Sequence, residues 1–385
     1  MTQTPNGALR GIRVLDLSRV LGGPFCTQFL GDHGADIIKV EPPSGDETRA
    51  WGPPFSDSSS AYFDGVNRNK RSIALDLDSA EGQRILHGFL ADADVLVQNF
   101  KLRSLERWNL LPESLQQRHP RLVQCWITGF GADGPLGGLP GYDAVAQALT
   151  GLMSVNGEAG GPPLRIGAPV VDLVTGLNAA LGIMLALRER DRTGRGQIVE
   201  ASLFDTGISL MHPHVPNYLG SGISPQPTGS AHPNITPYDR FATADGGIFL
   251  AVGNNGQFAA LCRCLGVEDL AHDPRFSDNG QRNRNRDKLK NLLERQLSER
   301  QAKPLAEELM QAGVPCAPIL DVAAAVAHPH TAHRGMIVDI GSYRGIGSPL
   351  KMSHSQPSYR LPPPRLDEHR EELLASMEPA ARVQE

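Results

Sequence analysis

The chain has 385 residues, 40% of them hydrophobic and 21% charged, and a formal charge of −5 from 37 basic and 42 acidic side chains. That length exceeds a comfortable single core and predicts two domains of roughly 100–200 residues each. The acidic balance and an aromatic content of only 5% argue against a nucleic-acid partner or a base-stacking surface. No unbroken apolar run approaches the ~20 residues that cross a bilayer, and the polar lead MTQTPNGALRG carries no basic-then-apolar targeting pattern. The five scattered cysteines, Cys26, Cys125, Cys262, Cys264 and Cys316, fit reduced thiols in the cytoplasm.

The first half alternates strand and helix. Residues 12–17 (IRVLDL) read as a buried strand, Pro24 suits the first turn of a helix at 25–32, Gly34 stops it, and residues 36–41 (DIIKVE) form the next strand. Strands are predicted again at 71–77, 94–100 and 122–129. Between them lie a helix capped by Ser79 that runs to Ala91 and shorter helical stretches at 105–109 and 113–118. Such alternation implies a mostly parallel sheet covered on both faces. A helical segment is expected at 143–153, a close-packed interior helix at 173–187, and a strand at 197–203.

Residues 213–237 are dense in proline, glycine and serine and read as an extended linker. Beyond them a hairpin around Asp245, Gly246 and Gly247 precedes helices at 257–265 and 287–308, the latter broken near Pro304. The expected organisation is a large α/β domain at 1–212, a linker at 213–237, a small α+β domain at 238–321, and a return segment at 322–385 that packs on the large domain.

Five stretches have residue types suited to chemistry. The glycines of the Val20-Leu21-Gly22-Gly23-Pro24 turn let backbone approach a ligand, with helix amides behind them; the plain alternative is a tight strand–helix connection. The cationic stretch 67–71 (NRNKR) is able to neutralise phosphates or to sit as a solvated loop. Asn99 and Phe100 stand at the carboxyl end of a strand, where open α/β sheets collect ligands, with Arg103 and Arg107 following. Asp172 sits at a helix start among small residues, as a simple cap or as a nucleophile on an activated acyl group. Backbone donors nearby would then stabilise the developing oxyanion. The stretch Gly253, Asn254, Asn255, Gly256 and Gln257 reads as a flexible loop, a turn or a mobile lid. The pairs His212 with His214 and Cys262 with Cys264 lack partners at metal-ligand spacing, so no metal site is expected.

Taken in order, the motifs at 15–24 (LDLSRVLGGP), 35–41 (ADIIKVE), 45–49 (GDETR), 69–72 (NKRS), 99–100 (NF), 128–131 (TGFG), 142–143 (YD), 167–172 (GAPVVD) and 193–197 (TGRGQ) resemble the class III CoA-transferases. This is the formyl-CoA and carnitine CoA-transferase family. The resemblance implies a Rossmann-like large domain with a parallel sheet, a smaller α+β domain, long linkers, and an interlocked homodimer. It places the catalytic aspartate on Asp172. Contacts to coenzyme A fall on Val20, Leu21, Gly22, Leu75, Asn99, Phe100, Arg107 and Tyr142, and the lid on Gly253, Asn254, Asn255, Gly256 and Gln257. No tightly bound cofactor is implied, coenzyme A and acyl-CoA being substrates. The chain departs from the family at Asn254 and Asn255, where formyl-CoA transferases have glycines. It departs also at Pro42, in place of an arginine, and at Lys101-Leu102-Arg103, in place of a proline-glycine turn.

The function so implied is transfer of CoA from an acyl-CoA donor to a small carboxylic acid through aspartyl anhydride and aspartyl-CoA thioester intermediates. Arg49 and Arg165 are candidates to clamp a second carboxylate. Gln147 and the stretch 150–153 resemble the succinyl-CoA-dependent branch. The expected donor is succinyl-CoA, and the acceptor a dicarboxylate such as itaconate, malate, citramalate or glutarate. An α-methylacyl-CoA racemase is the nearest alternative, but Tyr142 stands where racemases carry a histidine, and a phenol with a reference pKa of about 10 is a poor base. A non-catalytic acyl-CoA-binding subunit is the other alternative.

Overall fold

The computed structural model describes residues 7–377; residues 1–6 of the polar lead and residues 378–385 lie outside it. The chain divides into two compact units, one of Met1–Leu152, Arg165–Pro213 and His330–Glu385, the other of Met153–Leu164 and His214–Pro329.

In the first unit, strands β1 (Arg13–Asp16), β2 (Asp36–Glu41), β3 (Lys70–Ala74), β4 (Val95–Gln98), β5 (Val123–Thr128) and β6 (Ile198–Ser202) form one sheet in the order β3-β2-β1-β4-β5-β6. Every pair is parallel, with Val14 opposite Ile37 on one side and Val95 on the other. Strand order reverses beside β1, which opens a crevice between the carboxyl ends of β1 and β4.

Alternation along the strands sends neighbours to opposite faces. Leu15, Ile38, Ile73 and Leu96 enter one core, packed with Leu86 and Phe89. Val14, Ile37, Val95 and Val97 enter the other with Cys26, Leu30, Ala179 and Ile183. The first face is covered by α3 (Ala80–Ala91), capped by Ser79, and by α5 (Pro112–Arg118), while α4 (Leu102–Arg107) follows β4. The second is covered by α1 (Gly22–Asp32) and α8 (Val170–Thr193). Shorter helices α2 (Ala61–Asp64), α6 (Asp143–Leu149) and α7 (Leu152–Val155) lie between these along the chain, and α9 (Leu203–Ser209) follows β6.

Helix α8 is longer than its pattern predicts, and it is interior on one side only. Thr175, Gly176, Ala179, Ala180, Ile183 and Leu187 are buried, whereas Leu177, Leu181, Met184 and Leu185 are exposed, Leu181 by 60% and Leu185 by 63%. Its best 18-residue window has a mean hydropathy of 1.9, enough by length and composition to cross a bilayer. The expectation of no such segment rested on unbroken runs, and Asp172, Thr175 and Asn178 interrupt this one without lowering its average much. Packing of its buried side on the sheet marks it as a core helix. Gly194, left-handed at φ 75°, ends it.

The second unit has an antiparallel sheet of β7 (Tyr238–Thr243), β8 (Gly246–Ala251) and β9 (Cys316–Pro318). Its core joins Phe241, Ile248 and Leu250 to Phe258, Leu261, Leu289, Leu293 and Leu305. Thr243 pairs with Gly246, so the hairpin turn is Ala244-Asp245, one residue earlier than expected. The segment read as an extended linker contains α10 (His214–Ser221), because its Pro216 falls in the first turn, where no amide is missed. Helix α11 (Asn255–Cys264) buries Cys262 as a packing residue. The next long helical stretch breaks at residues 298–301, and Pro304 stands in the first turn of the helix Ala302–Gln311 rather than at the break.

Candidate active site

The crevice begins with the turn after β1. Asn99, just past β4, accepts a hydrogen bond from Arg19 N at 3.0 Å and donates to Arg19 O at 2.8 Å. Both ends of its side-chain amide therefore hold backbone, and Asn99 shapes the turn. Val20 adopts a left-handed φ of 72°, a genuine outlier for a β-branched residue. Asp46 accepts from Val20 N at 3.4 Å and from Lys39 Nζ at 3.2 Å, while the same ammonium donates to Ser18 O at 3.0 Å.

Beneath the turn, Asp16 receives Lys70 Nζ at 2.9 Å and Thr27 Oγ1 at 2.6 Å. Burial alone would raise this carboxyl, but the Lys70 and Lys39 ammoniums and the Ser18 and Thr27 hydroxyls outweigh it and hold it at about 2.

A cleft of about 150 Å³ opens at the carboxyl ends of these strands, lined by Leu17, Arg19, Leu75, Asp78, Phe100 and Trp108. Phe100 meets Trp108 edge-on at 4.9 Å, and the Arg19 guanidinium lies 5.2 Å from the Phe100 ring. Arg107 lies at the end of α4, paired with Asp78 at 2.9 Å. Asp78 also accepts from Trp108 Nε1 at 2.7 Å. Leu75 and Phe100 thus line one cleft, Arg107 stands beside it, and Val20, Leu21 and Gly22 lead from it to the start of α1.

Asp172 is in the first turn of α8, half-buried. A Cβ placed on Gly22 would stand 3.3 Å from Asp172 O and 3.7 Å from its Oδ1, so glycine there keeps the carboxylate accessible. Gly176, one turn on, approaches so closely that a Cβ would lie 2.5 Å from Gly22 O. Asp172 does not cap its own helix. The cap comes from α6: Asp143 Oδ2 accepts from Val171 N at 2.9 Å and Asp172 N at 3.3 Å. Gln147 Nε2 donates to Asp143 Oδ1 at 2.6 Å, and Gln147 Oε1 accepts from Ile166 N at 2.9 Å. Among the described residues the Asp172 carboxylate itself accepts no hydrogen bond. Burial, then the adjacent Asp143 charge, push its pKa up to about 7. Burial and the charges of Asp172, Asp143 and Asp46 together push the Tyr62 phenol up to about 12.

Several expectations are corrected. Backbone donors were expected near Asp172, and the two amides that open α8 there are engaged by Asp143. Arg49 offers no free fork for a substrate carboxylate, since it is bidentate on Glu41 at 2.7 and 2.8 Å and stacks 3.8 Å from the Phe63 ring centre. The cationic stretch 67–71 is structural: Arg68 pairs with Asp32, Lys70 with Asp16, and Arg71 with Asp36 and Glu372. Gln147 is fully buried, with both ends of its amide engaged by Asp143 and Ile166. Tyr142 is exposed ahead of α6. In the second unit, Asn255, Gly256 and Gln257 are the first turn of α11, not a flexible loop. Asn254 Oδ1 accepts from Gln257 N at 2.9 Å, and Gln257 Oε1 accepts from Gly253 N at 2.8 Å. Sequence reasoning missed Asp143, Lys39, Asp46, Tyr62 and Trp108 as parts of the site. Only the i, i+4 spacing of Asp143 and Gln147 on one helix face hinted at a pair.

A six-stranded parallel sheet with a cleft at its reversal point defines a doubly wound α/β ligand-binding protein. The sequence matches the model of CoA-transferase family III over residues 9–370, and the chain belongs to that family; it is a CoA-transferase. It is 39% identical to a succinate–glutarate CoA-transferase of Agrobacterium fabrum, covering 100% of this chain and 99% of that one. It is also 39% identical to a succinyl-CoA:mesaconate CoA-transferase of Haloarcula hispanica, covering 96% of each. A solved CaiB/BaiF family protein from Brucella suis superposes with a TM-score of 0.88 at 41% identity, covering 97% of this chain and all of that one.

Proposed function

We propose that this CoA-transferase moves CoA from succinyl-CoA to a small dicarboxylate, with Asp172 as the nucleophile. The observation that carries this reading is a half-buried carboxylate whose oxygens accept no hydrogen bond among the described residues, set against the glycine start of α1. The names of the relatives, which specify glutarate and mesaconate, support a dicarboxylate acceptor. Glutarate, itaconate, malate and citramalate are the first acids to test.

In the first step an Asp172 oxygen attacks the thioester carbonyl, the carbon–sulphur bond breaks, and CoA leaves as thiolate, so that a neutral mixed anhydride replaces a neutral thioester. The thiolate then attacks the Asp172 carboxyl carbon, forming an aspartyl-CoA thioester and releasing succinate. The acceptor acid runs both steps backwards. Negative charge is conserved throughout, and each step balances with carboxylate and thiolate alone, without a tightly bound cofactor. Helix α1 begins without a side-chain cap, so the Gly22 and Gly23 amides are the donors we assign to the oxyanion. Leu75, Phe100 and Arg107 are assigned to the nucleotide end of CoA, with Val20 and Leu21 along its arm. Arg165, which has no ion-pair partner among the described residues, is the remaining candidate to hold the second carboxylate. The exposed stripe on α8 supports a homodimer, interlocked as in the family, and the five free thiols support a cytoplasmic setting.

Hydroxylamine or borohydride trapping with succinyl-CoA should label Asp172. The Asp172→Ala enzyme should lose at least 1000-fold in turnover, on the order of an activated nucleophile's contribution. Undiminished turnover in that variant rejects the assignment, and exchange confined to monocarboxylates rejects the acceptor class.

A further inference from the structure

We propose that Asp143, oriented by Gln147, is a positioning residue that keeps the Asp172 carboxylate unstable as an anion and thereby favours its covalent loading. The inference rests on Asp172 being the nucleophile and adds a role for the residues behind it. A helix start ordinarily favours a carboxylate in its first turn, because free amides point at it. Here Asp143 Oδ2 occupies the amides of Val171 and Asp172, so the stabilisation Asp172 would receive goes to another carboxylate. Gln147 admits only one arrangement of that carboxylate. Its Oε1 is held by Ile166 N, so its Nε2 must face Asp143 Oδ1, which leaves Oδ2 turned to α8.

The consequence is chemical. The anhydride and the aspartyl-CoA thioester are neutral at Asp172, whereas the resting carboxylate is charged. An adjacent charge and the lack of hydrogen bonds raise only the charged form. Formation of either covalent form is then relieved of repulsion that the resting state carries. Burial first, and then this repulsion, displace the Asp172 carboxyl upward. The titratable groups acting around it are Asp143 from α6 and the Tyr62 phenol from α2, with Asp46 acting on Tyr62. The helix α1 presents Gly22, which does not titrate.

The test compares wild type, Asp143→Asn and Gln147→Leu in full-length enzyme. One measurement is the fraction loaded by succinyl-CoA without acceptor, read by mass spectrometry after acid quench. The other is the pH profile of kcat/KM for acyl-CoA. Asp143→Asn should lower the loaded fraction at least tenfold and move the acidic limb to lower pH by a unit or more. Gln147→Leu should move both in the same direction by less. A folded Asp143→Asn enzyme with both readouts unchanged overturns the inference, as does a loss that is uniform across pH, which a merely structural cap would cause. If Asp143→Asn fails to fold, an unmoved limb in Gln147→Leu overturns it instead. Failure of the wild type itself to load at Asp172 while still exchanging acids removes the proposed function, a different result.

Discussion

Asp16 and Asp172 are carboxylates of the same unit, and their surroundings drive them in opposite directions. Asp16 is fully buried but meets Lys70 and two hydroxyls, so it stays ionised. Asp172 is less buried but meets a second carboxylate and, among the described residues, no donor, so its charge is costly. The sign of the resulting pH dependence follows from linkage. With a folded pKa of about 7 against a reference of 3.8, the folded state holds the proton more tightly. Stability therefore falls as pH rises between those values, and the cost is complete above about 7. Asp172→Asn should be more stable than wild type at pH 8, by at most about 4 kcal/mol. The advantage should shrink toward zero near pH 4. Denaturant unfolding at both pH values checks this; an advantage equal at both would show that the charge of Asp172 is not its origin.

At the level of elements, the crossing of α1 over α8 is what brings the turn after β1 to Asp172. It depends on the absence of side chains at Gly22 and Gly176. In Gly176→Ala the new methyl would meet the Gly22 carbonyl at 2.5 Å, and neither helix backbone has room to yield without moving the other. A loss of about 1–3 kcal/mol in stability is expected from such overpacking. A larger fall in kcat than in stability at 25 °C is also expected, because the displaced atoms flank Asp172. Urea titration beside steady-state kinetics measures both, and unchanged kcat in a destabilised variant would separate the crossing from catalysis. The cap of α8 teaches a related lesson. Serine caps α3 from the adjacent position in the chain, whereas α8 is capped by Asp143, which lies on another helix.

On the scale of the whole molecule, the exposed stripe Leu177, Leu181, Met184 and Leu185 is the outward side of a helix whose inner side is fully committed to the sheet. A contiguous apolar face of this kind marks an interaction surface. We propose that this stripe is buried in a homodimer, so Leu181→Arg combined with Leu185→Arg should raise the monomer fraction in analytical ultracentrifugation relative to wild type. A double variant that remains a dimer would place the interface on another face.

Much of the architecture was legible before any fold was seen. The branched runs of β1, β2 and β4, the Ser79 cap, the Gly34 stop and the hairpin near Asp245 rest on interactions within a few residues, so local chemistry suffices to specify them. The resemblance to the family also named Asp172, Leu75 and Phe100 as candidates, and the proposed function rests on them. What the chain by itself did not disclose were the partners brought from far along it: Asn99 on Arg19, Asp46 on Val20, Glu41 on Arg49, and Asp143 on the amides of α8. Composition shows that a charge exists, but burial and pairing decide whether it is bound, free or destabilised. Those depend on which strands lie side by side. For that reason Arg49 and the stretch 67–71 looked available and proved committed, and only the tertiary structure decided that Asp172 would stand without a donor beside a second negative charge.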